Sequence, residues 1–239
     1  EIDRLKAQLS VSGASASIQT TRQNFPEALA LVAHIWREPT FPESEFNQLK
    51  QQVLASYERQ KSDPGALASN RLQRHLQPVP RDDVRYIPTI DERIAELGAV
   101  TLDETRSYYR DFYGAAHGEI VVIGDFDPDT VAKQIGELFG DWKTSKPYRR
   151  VSTPFSAVPV LVDTIETPDK ANATWNATIP LAMTDSHPDY PALVLGNYIF
   201  GSGMNSRLFQ RVRTKEGLSY GVSSQFFAGV KDDDARFSA

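Results

Sequence analysis

Three times in its first 104 residues the chain sets a threonine three positions ahead of a glutamate: Thr40-Phe-Pro-Glu43, Thr89-Ile-Asp-Glu92 and Thr101-Leu-Asp-Glu104. A hydroxyl that accepts from an amide three residues on, and a carboxylate that reaches back, satisfy two of the free N–H groups at a helix start. These boxes therefore predict helices opening at about 43, 90 and 102. Other punctuation adds to them. Pro26 precedes Leu29, Val32, Ala33 and Trp36 at helical spacing, and Asp63-Pro64-Gly65 closes the long polar helix from Glu43 to about Lys61. A further helix runs to about Leu76, before Pro78 and Pro80, Gly98 closes a short one, and Asp127-Pro128 starts one reaching about Phe139. Among these helices lies Glu119-Ile-Val-Val-Ile-Gly124, a β-branched run that reads as a buried strand. Val11 to Thr21, with a turn at Gly13, reads as one or two strands.

Thr144 to Ser156 mixes Pro, Ser and basic residues without periodicity and reads as a linker. Beyond it the pattern restarts, with strands at 159–165 and 173–180, a helix through 190–200, a glycine-rich turn, a helix over 206–214 and a strand over 218–227. The fold class is α+β, in two units, 1–150 and 151–239. The first nine residues read as the interior of a helix, and the last eight contain no evident closing element. The chain is accordingly expected to be part of something larger, its second unit cut short.

Composition narrows the function. Basic and acidic residues number 26 and 31, a net charge of −5, which gives no footprint for nucleic acid or an anionic membrane. No apolar run approaches the length of a membrane span, and Glu1 does not begin a signal peptide. Cysteine is absent, which removes disulfides, thiolate nucleophiles and cysteine-based zinc sites. The compartment expected is the bacterial periplasm, with the cytoplasm as the alternative.

The histidines, His34, His75, His117 and His187, are too scattered for the paired ligands of a zinc peptidase. His34 and Glu38 share a helix face and read as a solvent-exposed pair. Gly196-Asn-Tyr-Ile-Phe-Gly-Ser-Gly203 follows a helix, the wrong context for a nucleotide loop, and reads as a turn needing positive φ. No Gly-x-Ser-x-Gly elbow is present. In Arg213-Thr-Lys-Glu-Gly-Leu-Ser-Tyr220 a helix-end arginine and a strand tyrosine can reach one edge across a glycine turn. They could hold a peptide carbonyl with donors and positive potential. Equally, the arginine could serve only the helix dipole and the tyrosine half-buried packing.

The stretch Gly201-Ser-Gly-Met-Asn-Ser-Arg-Leu-Phe209, followed by Arg213 to Tyr220 and Gly221-Val222, resembles the C-terminal signature of pitrilysin/insulinase-type zinc metallopeptidases, the inverzincins. Asp83 to Glu92, Phe112-Tyr-Gly and Gly118 to Asp127 resemble bacterial members, and nearly the whole chain is covered. The resemblance implies a half-clamshell of two related α+β sandwich-type domains. In that family one half carries zinc on H-x-x-E-H and a downstream glutamate, while an inactive half contributes an Arg and a Tyr. Arg213 and Tyr220 match that pair, so they are the expected substrate-binding residues. The third zinc ligand would fall on the helix around Lys50 to Glu58, but Tyr57 stands in its place, and Glu58 is turned away by about 100°. No metal ligand and no catalytic residue is therefore expected here, and zinc is expected in a partner half, fused or separate, whose H-x-x-E-H could lie upstream of Glu1. The function implied is that of a non-catalytic half that completes a chamber with the zinc-bearing half and binds polypeptide. The alternatives are a fragment of the catalytic zinc half and a purely structural, core-protein-like subunit.

Overall fold

The computed structural model describes residues 2–239. Two compact units form, neither continuous in sequence: residues 1–49 with 100–149, and residues 50–99 with 150–239. The chain passes between them three times, so the units do not follow the segments 1–150 and 151–239.

In the first unit, β1 (Gln8–Val11) and β2 (Ala16–Gln19) form an antiparallel hairpin with Leu9 opposite Ile18. Ser12 and Ser15 close its turn, the Ser12 amide donating to the Ser15 carbonyl at 2.8 Å. Gln8 and Leu9 thus belong to a strand, not to the helix expected at the chain's start, because pairing with β2 outweighs their helical propensity. Helix α1 (Phe25–Arg37) buries Ala28, Leu29, Val32 and Ala33, the stripe evident in the sequence. Leu29 and Ala33 pack with Phe139 of α6 (Pro128–Phe139), flanked by Ile18, Trp36 and Trp142. Helix α2 (Glu43–Gln60), which begins in the first unit and ends in the second, opens with the Pro42 carbonyl accepting from the Phe46 amide, which leaves Thr40 short of the cap position.

The second unit holds α3 (Pro64–Leu76) and α4 (Ile90–Ala99). The Thr89 box forms, with the Glu92 amide donating to the Thr89 hydroxyl and the Thr89 amide to the Glu92 carboxylate. Thr101 caps α5 (Leu102–Phe112) of the first unit in the same reciprocal way. The second unit's sheet contains β3 (Thr178–Ala182), β4 (Gln225–Phe227) and β5 (Asp234–Ser238) in the order β3-β5-β4, all antiparallel. Its core is Met183, Ala228 and Ala235, with Leu181, Tyr190 and Phe226 packed against them.

Four strand expectations change. The runs at 119–124 and 159–165 belong to no strand, since a strand exists only where a second one accepts its hydrogen bonds. The strand expected at 173–180 lies at 178–182. The strand expected at 218–227 shortens to 225–227, because the Ser219 hydroxyl donates to the Gly221 carbonyl at 2.7 Å and diverts the backbone. The central strand β5 is an addition, lying within the last eight residues, where no closing element is evident in the sequence. Asp232, Asp233 and Asp234 grip the segment 150–155. Asp232 accepts from Arg150, from the Ser152 hydroxyl at 2.8 Å and from the Thr153 amide at 3.0 Å. Asp233 accepts from the Phe155 amide at 3.0 Å, and Asp234 from the Thr153 hydroxyl at 3.1 Å.

The Arg150 guanidinium, then the Thr153 amide and the Ser152 hydroxyl, hold the Asp232 carboxyl well below the usual carboxylate range. Hydrogen bonds from Arg85, side chain first and then its amide, lower Asp83 from 3.8 to about 2. A carboxylate depressed on folding adds stability that is complete above its unfolded value and is lost as pH falls through its folded value. For Asp83 that window runs from 3.8 down to about 2. The urea midpoint, followed by circular dichroism, is expected to fall between pH 6 and pH 3, and by less in Asp232→Asn than in the parent chain.

Candidate functional site

The hairpin that carries Arg213 and Tyr220 is built from helix α7 onward. Helix α7 (Tyr190–Gly201) ends in a glycine because the chain before β4 lies against it. A Cβ added at Gly201 would stand 2.1 Å from the Ser224 hydroxyl oxygen and 2.7 Å from the Ser224 amide nitrogen. Ser224 donates from its amide to the Gly201 carbonyl at 3.0 Å and from its hydroxyl to Asn197 Oδ1 at 2.7 Å. Helix and returning chain are thereby fastened at one point.

After α7 the backbone turns through Gly203 at φ 104°, a conformation that favours glycine. The buried Ser206 caps α8 (Arg207–Phe209), accepting from the Phe209 amide at 3.3 Å. Helix α8 continues as a π-helical segment, Gln210–Lys215, in which the Glu216 amide reaches back five residues to the Arg211 carbonyl at 3.1 Å. Wider turns of this kind concentrate at functional sites, since they re-aim side chains at the cost of poorer backbone packing. Gly217, at φ 63°, then reverses the chain, with the Leu218 amide donating to the Val212 carbonyl at 3.0 Å.

The reversal brings the two expected residues together. The Arg213 guanidinium carbon lies 4.5 Å from the centre of the Tyr220 ring and 5.0 Å from that of Phe209. Phe209 and Arg213 are four apart on one helical face, so the cation is held between two aromatic rings, each such contact contributing roughly 0.5–1 kcal/mol at an exposed site. Tyr220 is 87% exposed and Arg213 half-buried. The resulting array offers a fixed positive charge and hydrogen-bond donors from a guanidinium and a phenol, suited to a carbonyl oxygen or a carboxylate.

The helix that resembles the family's third-ligand helix provides no such donor set. Tyr57 is half-buried, with the Arg93 guanidinium 6.0 Å from its ring, and Glu58 is exposed and faces Lys61 at 3.7 Å. The histidines stay apart. His34 lies 3.6 Å from Glu38, His75 Nε2 lies 2.8 Å from the Pro159 carbonyl, the His117 ring lies tilted against Tyr148 with centroids 4.7 Å apart, and His187 faces Asp189. Among the described residues no three His, Asp or Glu side chains form a group able to hold a metal ion, so they do not fit a zinc site. No helix among them is long and apolar enough to cross a membrane.

Sequence reasoning misses two parts of the site. Phe209 sits inside the quoted signature without a role, although its spacing from Arg213 places both on one helical face. The Asn197–Ser224 bond spans 27 positions and has no local signal.

Known proteins resemble this chain in sequence and in fold. Residues 99–237 match the protein family described as the peptidase M16 inactive domain. A Helicobacter pylori protein named a non-peptidase homolog is 21% identical over 225 residues, 91% of this chain and 49% of its own length. An uncharacterized zinc protease of Streptomyces coelicolor is 30% identical over 140 residues, 57% of this chain and 30% of its own. A crystal structure from Pseudomonas fluorescens, described as a peptidase M16 inactive domain, superposes with a TM-score of 0.74 at 25% identity, covering 99% of this chain and 57% of that one. The chain thus spans about half the length, or less, of these curated relatives.

The close approach at Gly201 predicts opposite outcomes at two glycines of one helix. Gly201→Ala is expected to destabilise by about 1–3 kcal/mol through overpacking. At Gly196, where an added Cβ meets nothing within 4 Å, alanine is expected to stabilise by roughly 0.5–1 kcal/mol. Differential scanning calorimetry of the two variants checks both signs.

Proposed function

The chain belongs to the peptidase M16 family, in the region described as its inactive domain, and from that membership we propose that it is the non-catalytic, substrate-contacting part of a zinc metallopeptidase. On this reading it faces a zinc-bearing half, in the same polypeptide or a separate one, and the two enclose the peptide to be cut. The observation that carries the proposal is the Arg213–Tyr220 pair, held at 4.5 Å by the π-helical segment and the Gly217 turn.

When bound in the partner half, zinc and a glutamate base would supply the activated water. What this chain contributes is position and charge. Tyr220 donates its phenolic proton to a carbonyl of the substrate near the bond to be broken. Arg213, kept in place by two rings, orients that carbonyl and adds positive potential where negative charge develops. Neither group needs to change its protonation state.

A second reading, a purely architectural subunit, is favoured by the naming of the Helicobacter pylori relative as a non-peptidase homolog. The two differ in one observable. A substrate-contacting half binds an extended peptide, and a scaffold does not, which fluorescence anisotropy with a labelled unfolded peptide distinguishes.

Tyr220→Phe keeps the ring against Arg213 and removes only the donor. In the assembled peptidase it is expected to lower kcat/KM about 2- to 10-fold, the worth of one neutral hydrogen bond, with zinc content unchanged. Arg213→Ala should cost about 10-fold or more, since it removes a charged donor. Parent kinetics in both variants would count against the proposal.

A further inference from the structure

Charge is unevenly placed along this chain. Its 26 basic and 31 acidic side chains leave a net −5. Residues 190–230, from the start of α7 through β4, hold four cations, Arg207, Arg211, Arg213 and Lys215, and a single acid, Glu216. That stretch therefore carries +3, and the remainder of the chain carries −8. The segment that presents Arg213 and Tyr220 is a positive island on an acidic polypeptide.

Little of the island is neutralised. Arg211 faces Glu216 at 3.0 Å. Among the described residues no carboxylate forms an ion pair with Arg207, Arg213 or Lys215. Elsewhere arginines are spent on carboxylates, as Arg37 is on Asp141 at 2.7 Å, Arg71 on Asp163 at 2.8 Å and Arg85 on Asp83 at 2.6 Å. The segment also sorts its side chains by face. Leu208, Phe209, Val212 and Arg213 are half-buried, whereas Arg207, Arg211 and Lys215 are exposed. These three follow one another at intervals of four residues, about one helical turn, so they form a row on the solvent side.

The row lies close to the pair already described. Arg213 is two residues from Arg211 and two from Lys215, about 3 Å along the axis at a rise of about 1.5 Å per residue. Across the helix the separation is no more than its diameter of about 10–12 Å with side chains. Both lengths are on the scale of the Debye length, about 8–10 Å at ordinary salt. A peptide that reaches the exposed Tyr220 phenol thus enters the field of the row before salt has screened it.

We infer that this site selects acidic peptides, with Arg207, Arg211 and Lys215 attracting carboxylates that flank the residues held by Arg213 and Tyr220. The inference rests on the substrate-contact reading and adds a substrate class to it. Exposed cations of this kind act chiefly on encounter and on the choice between partners, and their effect weakens with salt. A nucleic acid fits less well. It is a polyanion with a charge at every phosphate, which the rest of the chain, at −8, repels, whereas a peptide can confine its carboxylates to the few positions that the row reaches.

Three labelled peptides that share one core and are flanked on both sides by glutamates, lysines or glutamines test the selection. Fluorescence anisotropy on the native protein that carries this chain is expected to show the glutamate peptide binding about 10-fold or more tightly than the lysine peptide at about 0.05 M salt. The glutamine peptide should fall between them, and the gap should narrow to about 2-fold at about 0.5 M salt. In Arg207→Glu/Lys215→Glu the order should level or invert. If that variant does not fold, the order and its salt dependence in the parent protein decide. Tyr220→Phe separates this inference from the reading beneath it, because loss of the phenol should weaken all three peptides alike. Equal binding of the three, a preference for lysine, or an order untouched by the double charge reversal would overturn the selection, while a uniform loss in Tyr220→Phe would leave the substrate-contact reading standing. Failure of all three peptides to bind would overturn both. Displacement of the glutamate peptide by an equal concentration of a single-stranded oligonucleotide would overturn the selection too, and would assign the row to nucleic acid.

Discussion

The Gly201–Ser224 contact leaves no room for a side chain at position 201, and much of the second unit's surface depends on that. The Ser224 hydroxyl oxygen lies 2.1 Å from where a Cβ would stand, and it also reaches Asn197 Oδ1 at 2.7 Å. The end of α7 and the chain entering β4 are fastened there. Everything between them, from Gly203 through α8, the π-helical segment and the Gly217 turn, is a loop of fixed ends. A loop with fixed ends and two glycines at positive φ has few ways to close. The closure found sets Arg213 over the Tyr220 ring, a placement that neither residue's local conformation would impose.

The sheet that receives this loop is secured by charge. Asp232, Asp233 and Asp234 occupy adjacent positions and collect donors from Arg150, Ser152, Thr153 and Phe155, and β5 follows directly from them. A carboxylate that accepts several hydrogen bonds and faces a guanidinium is favoured in its charged form, which accounts for the low proton affinity of Asp232. Segment 150–155, irregular in itself, gains its position from these bonds.

A zinc site needs three converging donors, and the histidines here are scattered singly, each beside a carboxylate, a carbonyl or a ring. Tyr57 lies where the resemblance placed a ligand, and it rests beside Arg93. A guanidinium and a phenol need no such convergence. They offer hydrogen-bond donors and charge, and two rings hold the cation at an exposed surface.

The helices are legible in the amino-acid sequence alone, because caps and apolar stripes are local. Thr89 and Thr101 cap as their boxes dictate, and Leu29 and Ala33 face the core as their spacing requires. Membership of the family is legible too, through Gly201 to Val222, since that signature combines a turn, a cap and a reversal in one short stretch. The strands are not. Residues 119–123 have strand composition but no partner among the described residues, whereas Asp234–Ser238 has an acidic approach yet lies at the centre of a sheet. A strand is defined by hydrogen bonds to distant residues, so local sequence can propose it but not decide it. Arg213 and Tyr220 can be named from the sequence. That they touch is decided by tertiary structure, through a glycine that admits Ser224 and a widened helical turn that delivers the guanidinium to the ring.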